Sequence, residues 1–212
     1  MSLLRTQTFC IASRITRQIQ PRYLSTTPCL KSRISDAIVK DHRELEDYYN
    51  RITQSKDLDE QTRYQNQFVW ELARHSISEE LVVYPAFEKS LINGQQVAQS
   101  DRQEHQKVKE QLYEFQKLSA KDPDFIPVLK NLYTDLKQHM RGEEEDDLPN
   151  LEQALSGDES RQLAKSFQRT KMFVPTHSHP SAPDKPPFET VVGLLSAPLD
   201  KLMDAFKKFP KD

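Results

Sequence analysis

Apolar residues between Ile34 and Leu155 recur at helical spacing in four successive blocks, and this periodicity constrains the fold more than any other feature of the sequence. The blocks cover residues 34–56, 59–92, 95–120 and 123–155. The same region lacks the period-2 alternation that half-buried β-strands show. Because short connections make successive helices antiparallel neighbours, the sequence predicts an all-α protein built as an up-down-up-down four-helix bundle.

Each predicted helix carries one histidine on the face that should point into the bundle. These residues are His42, His75, His105 and His139. The first two are 33 residues apart and the last two are 34 residues apart, so the two halves of the region repeat. Each histidine lies about 16 residues, or roughly 24 Å, from the turn that joins its helix pair. All four imidazoles should therefore reach one level of the core.

The repeat continues after the second histidine of each half, where the pattern H-x3-E-E-x4-P-x2-E occurs at residues 75–88 and 139–152. A histidine and a glutamate four residues apart project from one face of a helix, so Glu79 and Glu143 should face the imidazoles. Buried carboxylates need a compensating charge, and imidazole with carboxylate suits iron, manganese or zinc. The sequence therefore predicts a site for two metal ions. Its predicted ligands are His42, His75, Glu79, His105, His139 and Glu143.

The glutamates that follow the predicted carboxylate ligands are expected to stay outside the site. Glu80 and Glu144 lie five residues after a histidine, about 140° around an ideal helix, and should point aside into solvent. Gly142 weakens the fourth helix at this point, which leaves open a local bulge that brings Glu144 inward in place of Glu143. The remainder of the acidic run 143–147 is interpreted as a solvated helix end.

Other polar residues near the predicted site are weaker candidates. Glu46 follows His42 by four residues and could be a further ligand, but the equivalent position in the second half is Lys109. Three tyrosines are candidates for hydrogen bonds behind the ligands, with packing in the core as the alternative: Tyr48, Tyr49 and Tyr84.

The six predicted ligands, as His42, His75-x3-Glu79, His105 and His139-x3-Glu143, resemble the pattern of hemerythrin-like HHE cation-binding domains over residues 34–155. The resemblance implies a bundle around a non-haem di-iron centre, with two iron ions ahead of manganese or zinc and with both glutamates bridging. It also implies a small ligand such as O2, peroxide or nitric oxide. Oxygen-carrying hemerythrins have a further histidine four residues after the third-helix histidine, where this sequence has Lys109.

The ligand pattern leaves three functions open. A di-iron protein could handle O2, reactive oxygen or nitrogen species, or it could buffer or sense iron without catalysis. The third hypothesis is a metal-free helical adaptor. In this case the buried polar residues only fix the register of the helices, and a partner protein, which the sequence does not identify, binds elsewhere. No separate general acid or base can be named, so enzymatic activity is undecided.

The N-terminal residues have the composition of a mitochondrial transit peptide. Residues 1–35 contain six basic residues, ten serines or threonines and no acidic residue. We expect residues 1–33 to be a transit peptide or a disordered tail, with cleavage near Ser25. Loss of the four most N-terminal arginines would leave 26 basic against 32 acidic residues, which gives no reason to expect nucleic-acid binding.

The C-terminal residues are expected to form an extension outside the bundle. Residues 156–173 are interpreted as a helical extension, and the five prolines of residues 174–187 predict an extended linker that also contains His177 and His179. The folded domain should end before this linker. Apolar residues recur at helical spacing between lysines in residues 188–212, which predicts a short amphipathic tail helix. This helix could dock on the bundle, on a partner or on a membrane surface, and docking on the bundle is the favoured interpretation.

Several other classes of protein are disfavoured. The four glycines are too far apart to form a glycine-rich phosphate loop. Cys10 and Cys29 both precede the predicted bundle, which argues against a disulfide framework. The longest apolar stretch, residues 81–87, has seven residues and contains a proline, whereas a transmembrane helix needs about 20. No transmembrane segment is expected.

Overall fold

A computed structural model describes residues 32–181 and 188–211 of the chain. The described residues belong to one compact unit, residues 31–212. Residues 1–31 of the predicted transit peptide, with the cleavage region near Ser25, lie outside the described residues. No helix within the described ranges is long and apolar enough to cross a membrane.

The prediction of an all-α bundle is confirmed, because the described residues contain helices and no strand. Two of the four long rods are interrupted by a π-helical segment of five residues. The rods are, in order, α1 (Ile34–Gln54); α2 (Leu58–Ser78), the π segment Glu79–Val83 and α3 (Tyr84–Ser90); α4 (Gly94–Phe115); and α5 (Phe125–Gly142), the π segment Glu143–Asp147 and α6 (Leu148–Ala154). Two further helices follow, α7 (Gly157–Thr170) and α8 (Phe188–Asp204).

The turns between the rods follow local sequence signals. The carboxylate of Asp57 accepts a hydrogen bond from the backbone N–H of Asp59 and so caps α2. Gly94 begins α4 where any Cβ would overlap the carbonyl oxygen of Phe87, so the close approach of α3 and α4 requires glycine. These connections fix the antiparallel order of the rods.

The bundle core consists of two apolar clusters with a polar layer between them. One cluster contains Leu45 and Ile52 of α1 together with Phe68, Leu112 and Leu129 of the other rods. The second cluster contains residues from the opposite end of the rods: Ile34, Ile38, Val83, Phe87, Leu148, Leu151 and Phe167. The four predicted histidine ligands lie between these clusters, which exclude water from both sides.

Helix α7 packs against the bundle and completes the second apolar cluster. Its Phe167 is fully buried, and the hydroxyl of Ser160 accepts a hydrogen bond from the backbone N–H of Ile34, at the start of α1. Ser156 and Glu159 form a capping box that begins the helix. The hydrogen bond from Ile34 to Ser160 and the shared apolar cluster therefore hold α7 against the beginning of α1.

The segment that follows α7 does not leave the folded unit where the prolines predicted. Val174, Thr176, His177 and Ser178 are buried, so the expected boundary before residue 174 is wrong. Hydrogen bonds account for the difference, since the hydroxyl of Ser178 donates to the carbonyl oxygen of Lys109 in α4. Proline prevents a helix here but allows an extended segment to pack on the bundle.

Helix α8 contacts neighbouring elements through polar groups. Asp200 accepts hydrogen bonds from the backbone N–H groups of Thr176 and His177, and Arg63 of α2 donates to the carbonyl oxygen of Phe209 beyond the helix. Among residues 196–211, Ala197 is buried, but four larger apolar residues face outward instead of docking on the bundle as predicted. The exposed residues are Leu199, Leu202, Met203 and Phe206.

Candidate metal centre

The structure brings the six predicted ligands together at the level of the polar layer. Their donor atoms form two groups of four, and within each group the atoms lie within 4.8 Å of one another. One group contains His42 and His75, and the other contains His105 and His139. Glu79 and Glu143 belong to both groups, as carboxylates that bridge two metal ions would.

The spacing of the donor atoms fits metal ions of ordinary coordination distance. Nε2 of His75 lies 3.1 Å from Oε2 of Glu79, and Nε2 of His105 lies 3.4 Å from the same oxygen. Nε2 of His42 and of His139 each lie 3.4 Å from an oxygen of Glu143. Two ligands that are each about 2.1 Å from one ion, at angles of about 90–110°, lie about 3.0–3.5 Å apart.

Seven of the eight ligand-facing atoms are buried and lack hydrogen-bond partners. The atoms without a partner are both oxygens of Glu79, both oxygens of Glu143, and the Nε2 atoms of His42, His75 and His139. Buried polar atoms are nearly always satisfied in folded proteins, so seven unsatisfied atoms that converge on one place indicate a bound group that supplies the partner. Nitrogen and carboxylate oxygen donors together suit iron, manganese or zinc.

The opposite ring nitrogen of each histidine lies against a carboxylate. Nδ1 of His42 lies 2.8 Å from Oε1 of Glu144, and Nδ1 of His105 lies 3.1 Å from Oε1 of Glu80. An ionised carboxylate only accepts hydrogen bonds, so it holds the imidazole proton on Nδ1 and leaves the lone pair of Nε2 free. Each ring is thereby oriented for metal binding.

The two histidines of the second helix in each half are oriented in the same manner by different residues. Nδ1 of His75 lies 3.3 Å from Oδ2 of Asp41, and Nδ1 of His139 lies 2.9 Å from Oε2 of Glu104. Asp41 directly precedes His42, and Glu104 directly precedes His105. The repeat therefore includes the orienting carboxylates as well as the ligands.

The prediction that Glu80 and Glu144 point into solvent is wrong. Glu80 is fully buried, and the side chain of Glu144 is 21% exposed. The cause is the π segment that begins at Glu79 in one rod and at Glu143 in the other, because its wider turn changes the angular position of the next residue. Glu143 is buried and faces the imidazoles, while Glu144 lies behind one of them, so the bulge does not exchange the two.

A proline lies two residues after the end of each π segment and explains it. Pro85 and Pro149 are the second residues of α3 and α6, and proline in a helix interior clashes with the carbonyl four residues earlier. The backbone N–H of Tyr84 bonds instead to the carbonyl of Glu79, five residues earlier, and that of Leu148 bonds to Glu143. The proline in the repeated motif is therefore the sequence signal for the displaced glutamates.

The charges of the centre are strongly interdependent. Burial and the charge of Glu143 raise the pKa of Glu79 well above its ordinary value. Burial alone would raise the pKa of Glu143 too, but His139 and His42 lower it. Burial lowers the pKa of His139, but Glu143 and Glu104 outweigh it and raise that pKa to about 9. Protons thus balance the buried charge, and a metal ion would displace them.

Tyr84 and Lys109 lie beside the centre. The hydroxyl of Tyr84 lies 2.9 Å from Nε2 of His105. Tyr49 stacks on Tyr133 with 3.7 Å between ring centroids, and the ring centroids of Tyr48 and Tyr64 are 6.1 Å apart. Of the three candidate tyrosines, these contacts link Tyr84 to a predicted ligand. Lys109 does not point at the ligands but at Glu80, with Nζ 2.5 Å from Oε2.

The remaining candidates lie apart from the two donor groups. Glu46 is half-exposed and lies 3.6 Å from Arg43. A third acidic group, which includes Asp41 and Glu71, is already occupied by the ammonium of Lys171, which contacts both carboxylates. Sequence reasoning missed this lysine, because nothing in the local sequence connects residue 171 with the centre.

His177 and His179 have partners in α8 and in the residues that follow it. Nε2 of His179 lies 3.0 Å from Oδ2 of Asp200, and Nε2 of His177 lies 2.6 Å from Nζ of Lys207. Neither histidine belongs to the predicted centre.

The sequence profile described as Hemerythrin HHE cation binding domain matches residues 33–151, more than half of the chain. The chain belongs to the hemerythrin HHE cation-binding family. The matched range contains both donor groups and all four orienting carboxylates of this hemerythrin-like domain, whereas Lys171 and α7 follow it.

Relatives of the hemerythrin-like chain extend this result. An uncharacterized hemerythrin-like protein of Schizosaccharomyces pombe is 58% identical over 180 residues, which cover 84% of this chain and 89% of the yeast protein. A DNA nickase of Nostoc is 26% identical over 138 residues, which cover 65% of this chain and 39% of the nickase. The 180 residues shared with the yeast protein exceed the matched domain, so the similarity includes residues outside it.

A solved structure shows the same fold. The crystal structure of a hemerythrin HHE cation-binding domain-containing protein from Mycobacterium kansasii superposes with a TM-score of 0.58 at 17% sequence identity. The superposition covers 66% of this chain and 86% of that protein. At this level of identity the likeness concerns the helical bundle alone.

Proposed function

We propose that this chain binds two iron ions between Glu79 and Glu143 and uses them in mitochondria to bind or reduce a small molecule such as O2, peroxide or nitric oxide. The observation that carries the proposal is the pair of donor groups that share these two carboxylates, because seven of their eight ligand-facing atoms otherwise lack partners. A metal-free adaptor does not account for those atoms, since a seam that only fixed helix register would satisfy them internally.

The ligand set leaves room for a further small ligand. The four histidines with Glu79 and Glu143 would hold the ions, and iron held by these residues would supply open coordination positions together with reversible redox chemistry. The apolar clusters on both sides of the polar layer limit access to the centre, so only small molecules should reach it. Residue 109 is a lysine that pairs with Glu80, so this position does not add a fifth imidazole to the ligand set.

Tyr84 is placed to donate a hydrogen bond beside the centre. Its hydroxyl is fully buried, and burial together with the charge of Glu143 raises its pKa well above the ordinary value. The phenol therefore keeps its proton at physiological pH and can donate it in a hydrogen bond to a small ligand near His105. This residue supports a role in ligand chemistry beyond the storage of iron.

The mitochondrial location rests on the basic, serine- and threonine-rich N-terminal composition. A fusion of residues 1–35 to a fluorescent reporter tests it directly. We expect import into mitochondria, and retention of the reporter in the cytosol would overturn the proposed location.

The test of the metal centre is iron content. The full chain is purified without metal, loaded anaerobically with Fe(II) and desalted, beside the double variant His75→Ala, His139→Ala and the control His179→Ala. We expect about two iron ions per chain in the wild type and the control, and almost none in the double variant. The variant Glu79→Gln, Glu143→Gln keeps the side-chain volumes and serves if the alanine variant does not fold.

The outcomes separate the three candidate functions. Turnover of peroxide or capture of nitric oxide by the iron-loaded protein supports the proposal. Full iron occupancy without either reaction, and without O2 binding, would favour iron buffering. A folded helical protein that holds little iron would overturn the metal centre and favour an adaptor.

A further inference from the structure

An acidic cavity leads from solvent to one end of the metal centre. It has a volume of about 480 Å³ and lies between the first half of α4 and the end of α5 with the π segment that follows. His139, a predicted ligand, forms part of its wall. Four carboxylates also line it: Asp101, Glu104, Glu145 and Asp147.

Asp101 is the unusual member of this wall. Its side chain is buried, with 6% of the residue exposed, and Oδ2 has no hydrogen-bond partner. It precedes His105 by one helical turn but belongs to neither donor group. A buried carboxylate without a partner is costly in free energy, so its position in the wall of a cavity that reaches the centre indicates a cation that binds there at least briefly.

Apart from the imidazole of His139, the cavity contains little positive charge to balance these carboxylates. Arg141 is the one lysine or arginine in its described wall, and its side chain is 74% exposed and donates to Glu145. Within the described part of the chain, no lysine or arginine forms an ion pair with Asp101 or Asp147. Burial and the charge of Glu143 raise the pKa of Asp101 to about 8 and that of Asp147 to about 6. A divalent cation would relieve this crowding of negative charge.

A second cavity near the centre lacks this excess of negative charge. It has a volume of about 190 Å³, and its wall contains three basic residues, Arg43, Lys137 and Arg141, and three acidic residues, Glu46, Glu144 and Glu145. Because these charges balance, the second cavity attracts a cation less than the acidic one does. The two cavities therefore differ in charge, and the acidic one suits a metal ion.

We propose that the acidic cavity is the route by which divalent iron reaches the centre, with Asp101 and Asp147 as transient ligands that pass the ion to His139 and Glu143. This inference rests on the proposed iron centre and adds how that centre is filled. The order of residues along the wall, from exposed Glu145 to buried Asp101, gives a cation successive oxygen ligands as it loses water.

The test measures the rate of metal uptake. Metal-free full chain is mixed anaerobically with Fe(II), and the fraction of iron still accessible to a colorimetric chelator is followed over time. Co(II) is a second probe, because its visible absorbance reports binding directly. The variants are Asp101→Asn and Asp101→Asn, Asp147→Asn, with Glu46→Gln as the matched control at the second cavity.

We expect the double variant to take up metal at least tenfold more slowly than the wild type, with the same final number of ions per chain. Uptake by the wild type should also slow as salt concentration rises, and this dependence should weaken in the double variant. The control should match the wild type. Ser100→Lys, which places a cation on the exposed part of the wall, should slow uptake without altering Asp101.

Three results would overturn the proposal. Equal uptake rates in all variants at full occupancy would show that metal takes another route. A lower final number of ions in Asp101→Asn would make Asp101 a permanent ligand. A wild-type protein that binds neither Fe(II) nor Co(II) would overturn the proposed iron centre itself, and with it this inference.

Discussion

The ammonium nitrogen of Lys109 lies 2.5 Å from Oε2 of Glu80, and the other oxygen of that carboxylate lies 3.1 Å from Nδ1 of His105. The lysine thus stands behind a predicted ligand, at the position where oxygen-carrying hemerythrins have a further histidine. Arg43 contacts Glu144 behind His42 in the other half of the repeat. Both halves therefore hold a ligand histidine through a carboxylate that is itself held by a cation.

Replacement of Lys109 by methionine should destabilise the protein. The change removes the ammonium from the buried carboxylate of Glu80, and loss of one partner of a buried ion pair costs about 3–5 kcal/mol. Urea denaturation of the metal-free protein measures the effect. The control is Lys107→Met, which removes an exposed ion pair with Asp135 and should change the free energy of unfolding by at most about 1 kcal/mol. Equal effects of the two substitutions would contradict this role.

Replacement of Lys171 by methionine tests whether residues beyond the matched domain support the centre. Lys171 contacts Asp41, which orients His75, and also Glu71. We expect a loss of about 3 kcal/mol in the free energy of unfolding, because two buried carboxylates lose their shared cation. Lys165→Met, at an exposed position of α7, should have little effect in the same denaturation experiment.

Replacement of Glu144 by glutamine should weaken metal binding without removing a ligand. Loss of an orienting partner behind a ligand histidine lowers metal affinity by about 10- to 100-fold. Competition with a chelator of known affinity measures this change. Asp146→Asn, an exposed acidic neighbour, should bind as the wild type does. A complete loss of one ion in the glutamine variant would instead identify Glu144 as a direct ligand.

Replacement of Tyr84 by phenylalanine should affect the small ligand more than the metal. The change removes the hydroxyl that lies 2.9 Å from Nε2 of His105 but keeps the ring that packs on Phe87. Iron content should be unchanged, while affinity of the iron-loaded protein for nitric oxide should fall about tenfold, the value of one buried hydrogen bond. Spectroscopic titration measures it, with Tyr133→Phe as the control. Identical affinities would show that the hydroxyl does not face the ligand.

The stability of the metal-free protein should fall as pH rises from 5 to 8. Burial and the charge of Glu143 raise the pKa of Asp101 from 3.8 to about 8. Between these values the folded protein holds a proton that the unfolded chain has released, so the free energy of unfolding decreases with pH. Thermal unfolding at several pH values should show a smaller decrease in Asp101→Asn. Asp135→Asn is the control, since Lys107 lowers the pKa of Asp135, and it should keep the wild-type slope in this range.

The fold could be predicted because its signals are local and repeated. Helical periodicity, short turns and the two H-x3-E-E motifs are all visible within windows of about twenty residues. The third helix ends at Phe115 instead of near Ala120, because the carboxylate of Asp122 accepts a hydrogen bond from the backbone N–H of Ser119 in a turn. Such ends depend on individual hydrogen bonds that periodicity does not reveal.

Part of the site could also be predicted from sequence. Acidic residues directly before His42 and His105 were a repeated signal for the orienting carboxylates, and Pro85 and Pro149 were a signal for the displaced glutamates. The proline signal is easily overlooked, because the angular spacing of an ideal helix places Glu80 on the solvent side. Lys171 could not be predicted, because its contact with Asp41 depends on how α7 packs, 130 residues along the chain.

Neither helical hairpin has a complete set of supports for its own histidines. His42 belongs to the first hairpin and is held by Glu144 of the second, while His105 of the second is held by Glu80 of the first. A single hairpin expressed alone would present two histidines with one of them unsupported, and two copies would have to exchange carboxylates to orient all four. The internal repeat therefore preserves, within one chain, the reciprocal arrangement of a symmetric dimer.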